Sequence, residues 1–329
     1  MVVSAGLTYH SAVAEPVCIT ILLGVTASGK SAAALALARA VGAEILSVDS
    51  MQVYRRMNIG TAKPSPDELA QVRHHLIDVV EPSEPFSAAR FVELAEAAIA
   101  DMKARGVPSL AVGGTSLYIK ALTEGLFDGP TSDPMVRDEL RRRSEAIGSA
   151  GLHAELARAD PASADRIHPN DLRRVVRALE VYRQTGTAIS ELQRQFGRPR
   201  PGYRFTFVGL RRTPRAQSGR INQRVRLMIE QGLVQEVRDL LAEPAGLSIQ
   251  ARQALGYAQI IDHLQGRCPL ERAVEQIKIL TRRFAKHQRT WFRRFADVHW
   301  IDLDSQPQPE PSPDQVARQI LDAGWLARR

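Results

Sequence analysis

Short apolar runs alternate along the chain with longer stretches of helical periodicity. Val17 to Leu23 is a nearly unbroken apolar run of strand length, Ser31 to Val41 an alanine-rich helical pattern, and Glu44 to Val48 a second strand. Together they predict a compact βαβ opening. Leu76 to Val80 predicts a further strand. Ser87 predicts the cap of a helix running to about Arg105 and ended by Gly106, and Leu110 to Val112 a strand closing on Gly113 and Gly114. Apolar strands separated by helices predict a parallel sheet covered on both faces.

The pattern changes between about Thr131 and Pro201. Strand signals vanish, and Arg-rich amphipathic segments occupy Met135 to Ile147, Leu152 to Ala159 and Asp171 to Thr185. A strand pattern resumes at Tyr203 to Leu210, helical patterns continue to about Phe295, and Val298 to Ile301 predicts a last strand. Asp304 to Gln315 reads as a Pro-rich linker before a short helix. The expected organisation is therefore an extension over 1–15, a discontinuous α/β core over 16–130 and 202–303, an all-helical insertion over 131–201, and a linker with C-terminal helix over 304–329.

Composition narrows the class. With 44% hydrophobic and 24% charged residues the chain is an ordinary globular protein, and no apolar stretch approaches a membrane span. The first 15 residues lack the basic start and apolar core of a signal peptide, so a cytoplasmic protein with no membrane partner is expected, acting as a monomer. Cys18 and Cys268 have no metal-ligand spacing and read as unpaired thiols. His74 and His75 are adjacent, so their side chains diverge and cannot easily share a metal. A net charge of +8 suits a polyanionic partner.

The strongest motif is GVTASGKS, Gly24, Val25, Thr26, Ala27, Ser28, Gly29, Lys30 and Ser31, between a strand and a helix. Its spacing matches the phosphate loop: glycines let backbone N–H groups curl round a phosphate, Lys30 neutralises it, the helix N-terminus adds a favourable dipole, and Ser31 would sit on Mg²⁺. The loop identifies a phosphate without identifying its owner. Asp49 ends the second strand and faces the same crevice, as a metal ligand, a general base or simply a turn residue. The VGGTSLY stretch closes another strand and offers the Thr115 hydroxyl.

From Lys278 to Arg294 seven cationic residues interleave with Phe284, Trp291 and Phe292, and no acidic residue intervenes. That suits a nucleic-acid backbone with stacked bases. A solvated basic face over an apolar stripe of Ile277, Leu280, Phe284 and Trp291 explains the aromatics about as well.

Taken together, GVTASGKS, DSMQVYRRMNIGTAKP, HHLIDVVEP, FSAARF, VGGTSLYIKAL, IHPNDLRRVVRALEV, MIEQGLVQEV, ALGYAQ and RRFAKHQRTWFRRF resemble, in order and from about Val17 to Asp302, the bacterial-type tRNA dimethylallyltransferases, also called tRNA isopentenyltransferases. The resemblance implies a P-loop NTPase-like core with a helical insertion. It also implies transfer of a dimethylallyl group from dimethylallyl diphosphate to N6 of adenine 37 in the anticodon stem-loop of tRNAs reading codons that begin with U, with Mg²⁺ as cofactor.

Under that resemblance Asp49 is the general base, and Lys30 and Thr115 complete the catalytic set. Ser50, Met51 and Gln52 meet the extruded base, Arg224 lies near the diphosphate, and Arg137, Arg173, Arg174, Arg177, Arg252, Gly256 and Tyr257 lie on the tRNA side. Val25 stands where the family often has Pro, and Arg173 where it often has Gln. The chain carries no Cys and His set for the C-terminal zinc finger of eukaryotic relatives. A P-loop small-molecule kinase shares the loop and the aspartate but leaves the basic helix unexplained, and a switch GTPase would need the NKxD signature, which does not occur.

Overall fold

The computed structural model describes residues 15–127, 129–193, 197–304 and 310–327. Residues 1–14 of the expected extension and 305–309 of the expected linker lie outside them. Two compact units form, one from the chain up to Thr123 together with the chain from Arg200 onward, the other from Glu124–Pro199.

The first unit is built on a six-stranded, all-parallel sheet. In chain order its strands are β1 (Val17–Gly24), β2 (Glu44–Val48), β3 (His74–His75), β4 (Ser109–Gly113), β5 (Tyr203–Arg211) and β6 (Val298–Asp302), arranged β3-β2-β4-β1-β5-β6. Strand β1 is central, and its residues alternate between two cores. Ile19, Ile21 and Leu23 join one buried cluster with Phe91, Ile99, Ile277 and Phe292, while Leu22 joins another with Leu37, Val112, Leu210 and Ile320. Burial on both faces is what its near-continuous apolar sequence encodes.

The helices of this unit are α1 (Lys30–Val41), α2 (Pro66–Gln71), α3 (Ala88–Ala104) and α4 (Ser116–Glu124), whose last residue begins the second unit, then, after the second unit, α9 (Pro214–Glu230), α10 (Leu233–Ala242), α11 (Ile249–Arg252), α12 (Tyr257–Leu264), α13 (Leu270–Phe292) and α14 (Pro313–Asp322). Ser87 caps α3 by accepting from the Arg90 N–H at 3.1 Å, and Gly106 takes φ 68° just beyond it. Helix α14 packs through Val316 and Ile320 into the same cluster as α1, so the chain after the linker completes the core of the first unit.

The strand expected over Leu76 to Val80 does not form. Only His74 and His75 pair with β2, after which Leu76 and Asp78 adopt φ of 64° and 54° and turn the chain out of the ladder. Leu76 and Val80 are buried, so their apolar character encodes a core-facing loop.

The second unit is helical: α5 (Pro134–Ala159), α6 (Pro161–Ala164), α7 (Leu172–Thr185) and α8 (Ile189–Leu192). Gly148, at φ 76° and ψ 163°, breaks α5 where the two amphipathic patterns part. Leu140, Leu152, Leu156, Val175 and Leu179 form its core. Glu180 lies in that unit with no exposed surface, its carboxylate accepting from Arg137, from Arg177 at 2.7 Å and from the Asp133 N–H at 2.7 Å. Burial pushes its pKa up, but the hydrogen bonds from Arg177 and Arg137 outweigh that and leave the carboxyl below its ordinary range.

Candidate active site

The carboxyl ends of β1, β2 and β4 put three loops on one edge of the sheet, where ligands of open α/β sheets bind. The first is the phosphate loop. Gly24 leaves it because a Cβ there would come within 2.6 Å of Ser28 Oγ, and Ala27 and Gly29 take φ of 59° and 101° to close the curl. Helix α1 starts on Gly29 without a side-chain cap, so its first-turn N–H groups stay open toward an anion. Ser28 Oγ is buried and has no hydrogen-bond partner, a polar atom aimed within the loop. Ser31, exposed in the first turn, carries its hydroxyl at the same end of α1.

Lys30 is partly buried, and burial, then the nearby Arg224, lower its pKa to about 8 against the opposing pull of Asp49. Arg224, on α9, is itself lowered by burial and by Arg220. Arg224 and Asp49 therefore both act on Lys30, in opposite directions, and Arg220 acts on Arg224.

Asp49 ends β2 in a tight turn. Its Oδ1 accepts from the N–H groups of Met51 at 2.8 Å and Gln52 at 3.3 Å. Thr115 grips the same turn: its Oγ1 accepts from the Ser50 N–H at 3.1 Å, and its own N–H donates to the Val48 carbonyl at 3.3 Å. Gly113 permits this closeness, since a Cβ there would overlap the Val48 carbonyl. Gln52 accepts from Ser47 Oγ at 2.9 Å and donates to the Ala62 carbonyl at 3.2 Å, tying the turn to the 57–64 segment. Met51 packs on the core cluster beneath it.

That segment forms one wall of a cleft of about 740 Å³ that begins at Ala27 and runs past Ile59, Lys63, Arg220, Arg224 and Met228. Glu236 holds the wall in place. Its carboxylate accepts from the N–H groups of Asn58 at 2.9 Å, Ile59 at 2.8 Å and Gly60 at 3.2 Å, and from the Tyr257 hydroxyl at 2.6 Å. Lys63 is pinned from behind by the Tyr54 carbonyl and by Asp78 at 2.6 Å.

The residues expected on the tRNA side differ in burial and in partners. Tyr257, expected on the tRNA side, is fully buried, and its ring lies so close to Gly60 that a Cβ there would overlap it. Gly256, also expected there, is buried at φ 95° and starts α12. Both are buried, Tyr257 against the cleft wall at Gly60, whereas Arg252 is exposed. Arg137 and Arg177 are engaged by Glu180, while Arg173 and Arg174 are exposed, the latter paired with Asp171 at 3.3 Å. On α13 the buried register is Ala273, Ile277, Thr281, Ala285, Gln288 and Phe292; Phe284, assigned to an apolar stripe, is 45% exposed.

Other contributors carry no motif signal. Arg212 and Arg220 donate from Nε to the carbonyls of Ser28 at 3.0 Å and Ala27 at 3.2 Å, and Gln217 donates to the carbonyl of Thr26. Each was one polar residue among many in a helix or strand end. Among the described residues no group of three or more His, Cys, Asp or Glu gathers as a metal cluster, and no helix is long and apolar enough to cross a membrane.

A family model described as IPP transferase matches residues 52–295. Curated relatives include a tRNA dimethylallyltransferase 2 of Geotalea uraniireducens (strain Rf4), 45% identical over 282 residues, 86% of this chain and 91% of the relative. A tRNA dimethylallyltransferase of Geobacillus thermodenitrificans (strain NG80-2) is 45% identical over 305 residues, 92% of this chain and 96% of the relative. Among solved structures, a full-length tRNA isopentenylpyrophosphate transferase from Bacillus halodurans aligns at TM-score 0.67 and 38% identity, covering 94% of this chain and 96% of that one. A eukaryotic dimethylallyltransferase acting on tRNA aligns at TM-score 0.77 and 28% identity, covering 95% and 81%. With this parallel P-loop-type sheet, its phosphate loop and these relatives along almost its whole length, the chain belongs to the IPP transferase family.

Proposed function

We propose that this chain transfers a dimethylallyl group from dimethylallyl diphosphate to N6 of an adenine in tRNA, with adenine 37 of tRNAs reading U-initial codons as the finer assignment. The observation that carries the reading is the placement of an anion cradle and a carboxylate on one edge of the sheet in a member of this family: the uncapped N-terminus of α1 with Lys30 and Arg224 on one side, Asp49 on the turn held by Thr115 on the other.

The bond from the allylic C1 to the diphosphate oxygen breaks, and the electron pair leaves with diphosphate onto the loop N–H groups, Lys30 and Arg224. The C1–N6 bond forms, and the N6 proton passes to Asp49, because an amine conjugated with the purine ring attacks well only as its proton is removed. Thr115 acts on the base's environment by fixing the Ser50 peptide beside Asp49. Ser31 and the diphosphate oxygens fit a Mg²⁺, an ion that is commonly held by one or two protein groups plus phosphates, and it would add charge stabilisation to the leaving group.

Exposed Phe284, the Arg294 guanidinium 4.6 Å from the Trp291 ring centroid, and exposed Arg283, Lys286 and Arg293 support an RNA-facing surface on α13. The rival kinase reading is not favoured by any relative.

Incubation with Mg²⁺ and unmodified tRNA, supplying either dimethylallyl diphosphate or ATP, followed by nucleoside mass analysis, tests the proposal. The expected product is N6-dimethylallyladenosine with the diphosphate donor. Its absence, with phosphate transfer from ATP, refutes the reading.

A further inference from the structure

Gln288 occupies a position that the reaction chemistry does not call for and the packing does not require. It falls in the buried register of α13, between Ala285 and Phe292, and is 5% exposed. A polar side chain there displaces an apolar one at a cost unless both ends of its amide are paired. Both are: Oε1 accepts from the Thr26 N–H at 2.8 Å, and Nε2 donates to the Gly114 carbonyl at 2.8 Å. Thr26 belongs to the phosphate loop after β1, and Gly114 precedes Thr115 in the loop after β4.

The contact is built for this amide on both sides. A Cβ at Gly114 would overlap Nε2, so the glycine makes room for it. At the next peptide group along the loop, Gln217 of α9, 1% exposed, donates to the Thr26 carbonyl. The two peptide groups that flank Thr26 are thus each held by a buried glutamine, the first at its N–H and the second at its carbonyl, and the next two carbonyls, of Ala27 and Ser28, are held by Arg220 and Arg212. Carbonyls held outward leave the following N–H groups to face an anion. Only Gln288 also reaches the loop that carries Thr115, and Thr115 in turn fixes the turn of Asp49.

We infer that Gln288 is a positioning residue that sets the diphosphate-holding loop in register with the Asp49–Thr115 shelf, and so fixes the distance between the leaving group and the base. The inference rests on the proposed transfer reaction and deepens it. Transfer needs the allylic carbon and the adenine nitrogen in near-attack geometry, where a displacement of about 1 Å costs on the order of 10²-fold. One amide bridging both loops is a direct way to prevent such a displacement.

The test compares Gln288→Leu and Gln288→Glu with wild type. Leucine fills the same space and removes both hydrogen bonds. Glutamate keeps an acceptor for Thr26 but, when ionised, sets a carboxylate against the Gly114 carbonyl. When protonated it regains an O–H donor and mimics the amide. Burial raises the pKa of such a carboxyl, so the change falls in an accessible pH range.

Single-turnover transfer at saturating tRNA and donor is expected to fall about 10- to 100-fold in Gln288→Leu, with tRNA affinity in the absence of donor within about twofold of wild type and a cooperative thermal transition retained. Relative to wild type, the Gln288→Glu rate is expected to rise as pH falls from 8 toward 6, while the Gln288→Leu ratio stays flat. Affinity for inorganic diphosphate, read by calorimetry, drops in both variants at pH 8.

A wild-type transfer rate in Gln288→Leu overturns the inference. So does a loss confined to tRNA affinity, which would make Gln288 a support of the RNA surface alone. If Gln288→Leu fails to fold, the pH ratio of Gln288→Glu decides, and a flat ratio overturns the inference. If wild type itself forms no prenylated adenosine, the transfer reading fails, and the diphosphate affinities of the two variants still show whether Gln288 orders the loop.

Discussion

Lys30 makes the binding of diphosphate depend on pH in a direction fixed by its surroundings. Burial and Arg224 bring its pKa to about 8 from an ordinary 10.5. With that value Lys30 is about nine-tenths charged at pH 7, about half at pH 8 and about one-tenth at pH 9. If the anion binds only the ammonium form, the dissociation constant for inorganic diphosphate rises about twofold at pH 8 and about tenfold at pH 9 above its acid plateau. Binding above pH 8 then draws in a proton, because the bound anion restores the pKa. The stability sign is opposite. A lysine whose folded pKa lies below its unfolded one penalises the fold while it is charged, so this unfavourable contribution is complete below pH 8 and fades as pH rises from 8 toward 10.5. Calorimetry across pH 6.5 to 9.5, in buffers of differing ionisation enthalpy, reads both affinity and proton uptake. Diphosphate titrates in the same range, so Lys30→Arg, permanently charged, supplies the baseline. Arg224→Gln removes the repulsion and is expected to move the break upward even as it weakens binding. The same break in Lys30→Arg, or none in wild type below pH 9.5, refutes the reasoning.

Four further outcomes are expected. Asp49→Asn keeps an oxygen for the N–H groups of Met51 and Gln52, so it should fold and bind tRNA normally while single-turnover transfer slows on the order of 10²-fold; a near-wild-type rate excludes Asp49 as base. Tyr257→Phe and Glu236→Ala, combined in a double-mutant cycle by urea unfolding, should couple by roughly 1 kcal/mol or more, since the buried hydroxyl donates to a carboxylate, and additive costs would discard the link. Glu180→Ala should destabilise the helical unit by roughly 3 kcal/mol, the low end for a broken buried ion pair because both arginines are partly exposed; a cost under about 1 kcal/mol by chemical denaturation contradicts the clamp. Arg283→Gln with Arg293→Gln should flatten the plot of log tRNA affinity against log salt by a slope of roughly 1.5, and an unchanged slope would mark α13 as merely solvated.

How far these features are legible in the sequence depends on what each pattern encodes. Strands β1, β2 and β4 are apolar because both faces are covered, and that requirement falls on every residue, so their ends are read to within a residue or two. Leu76 and Val80 are apolar for a different reason, burial in a loop, and only the positive φ of Leu76 and Asp78 distinguishes it from a strand. Such backbone turns leave little trace when the residue is not glycine. The phosphate loop, Asp49 and Thr115 are legible because chemistry fixes their types and spacing. A motif gives Tyr257 a position along the chain and no face, and here its ring packs inward on Gly60. Gln288 did carry a signal: a polar residue in the core register 277, 281, 285, 288, 292 of an amphipathic helix needs a buried partner for each end of its amide.

The electrostatics of the cleft say more about the ligand than the loop motif does. Arg212 and Arg220 are committed to loop carbonyls and to Glu310, with Arg212 also bound to Asp304 at 3.1 Å. Lys63 is committed to Asp78. Lys30 and Arg224 are different: each is lowered by burial, Lys30 is lowered further by Arg224 and Arg224 by Arg220, and Asp49 pulls Lys30 the other way. Two cations forced together at the uncapped start of a helix store unfavourable energy that an anion of more than one charge releases on binding, and a single carboxylate cannot release all of it. A leaving diphosphate gains charge as its bond to carbon breaks, so the release is greater for the product side of the reaction than for the donor. In the proposed transfer, cations placed at this end of α1 therefore favour the transition state over the bound donor, which is the property a catalytic site requires.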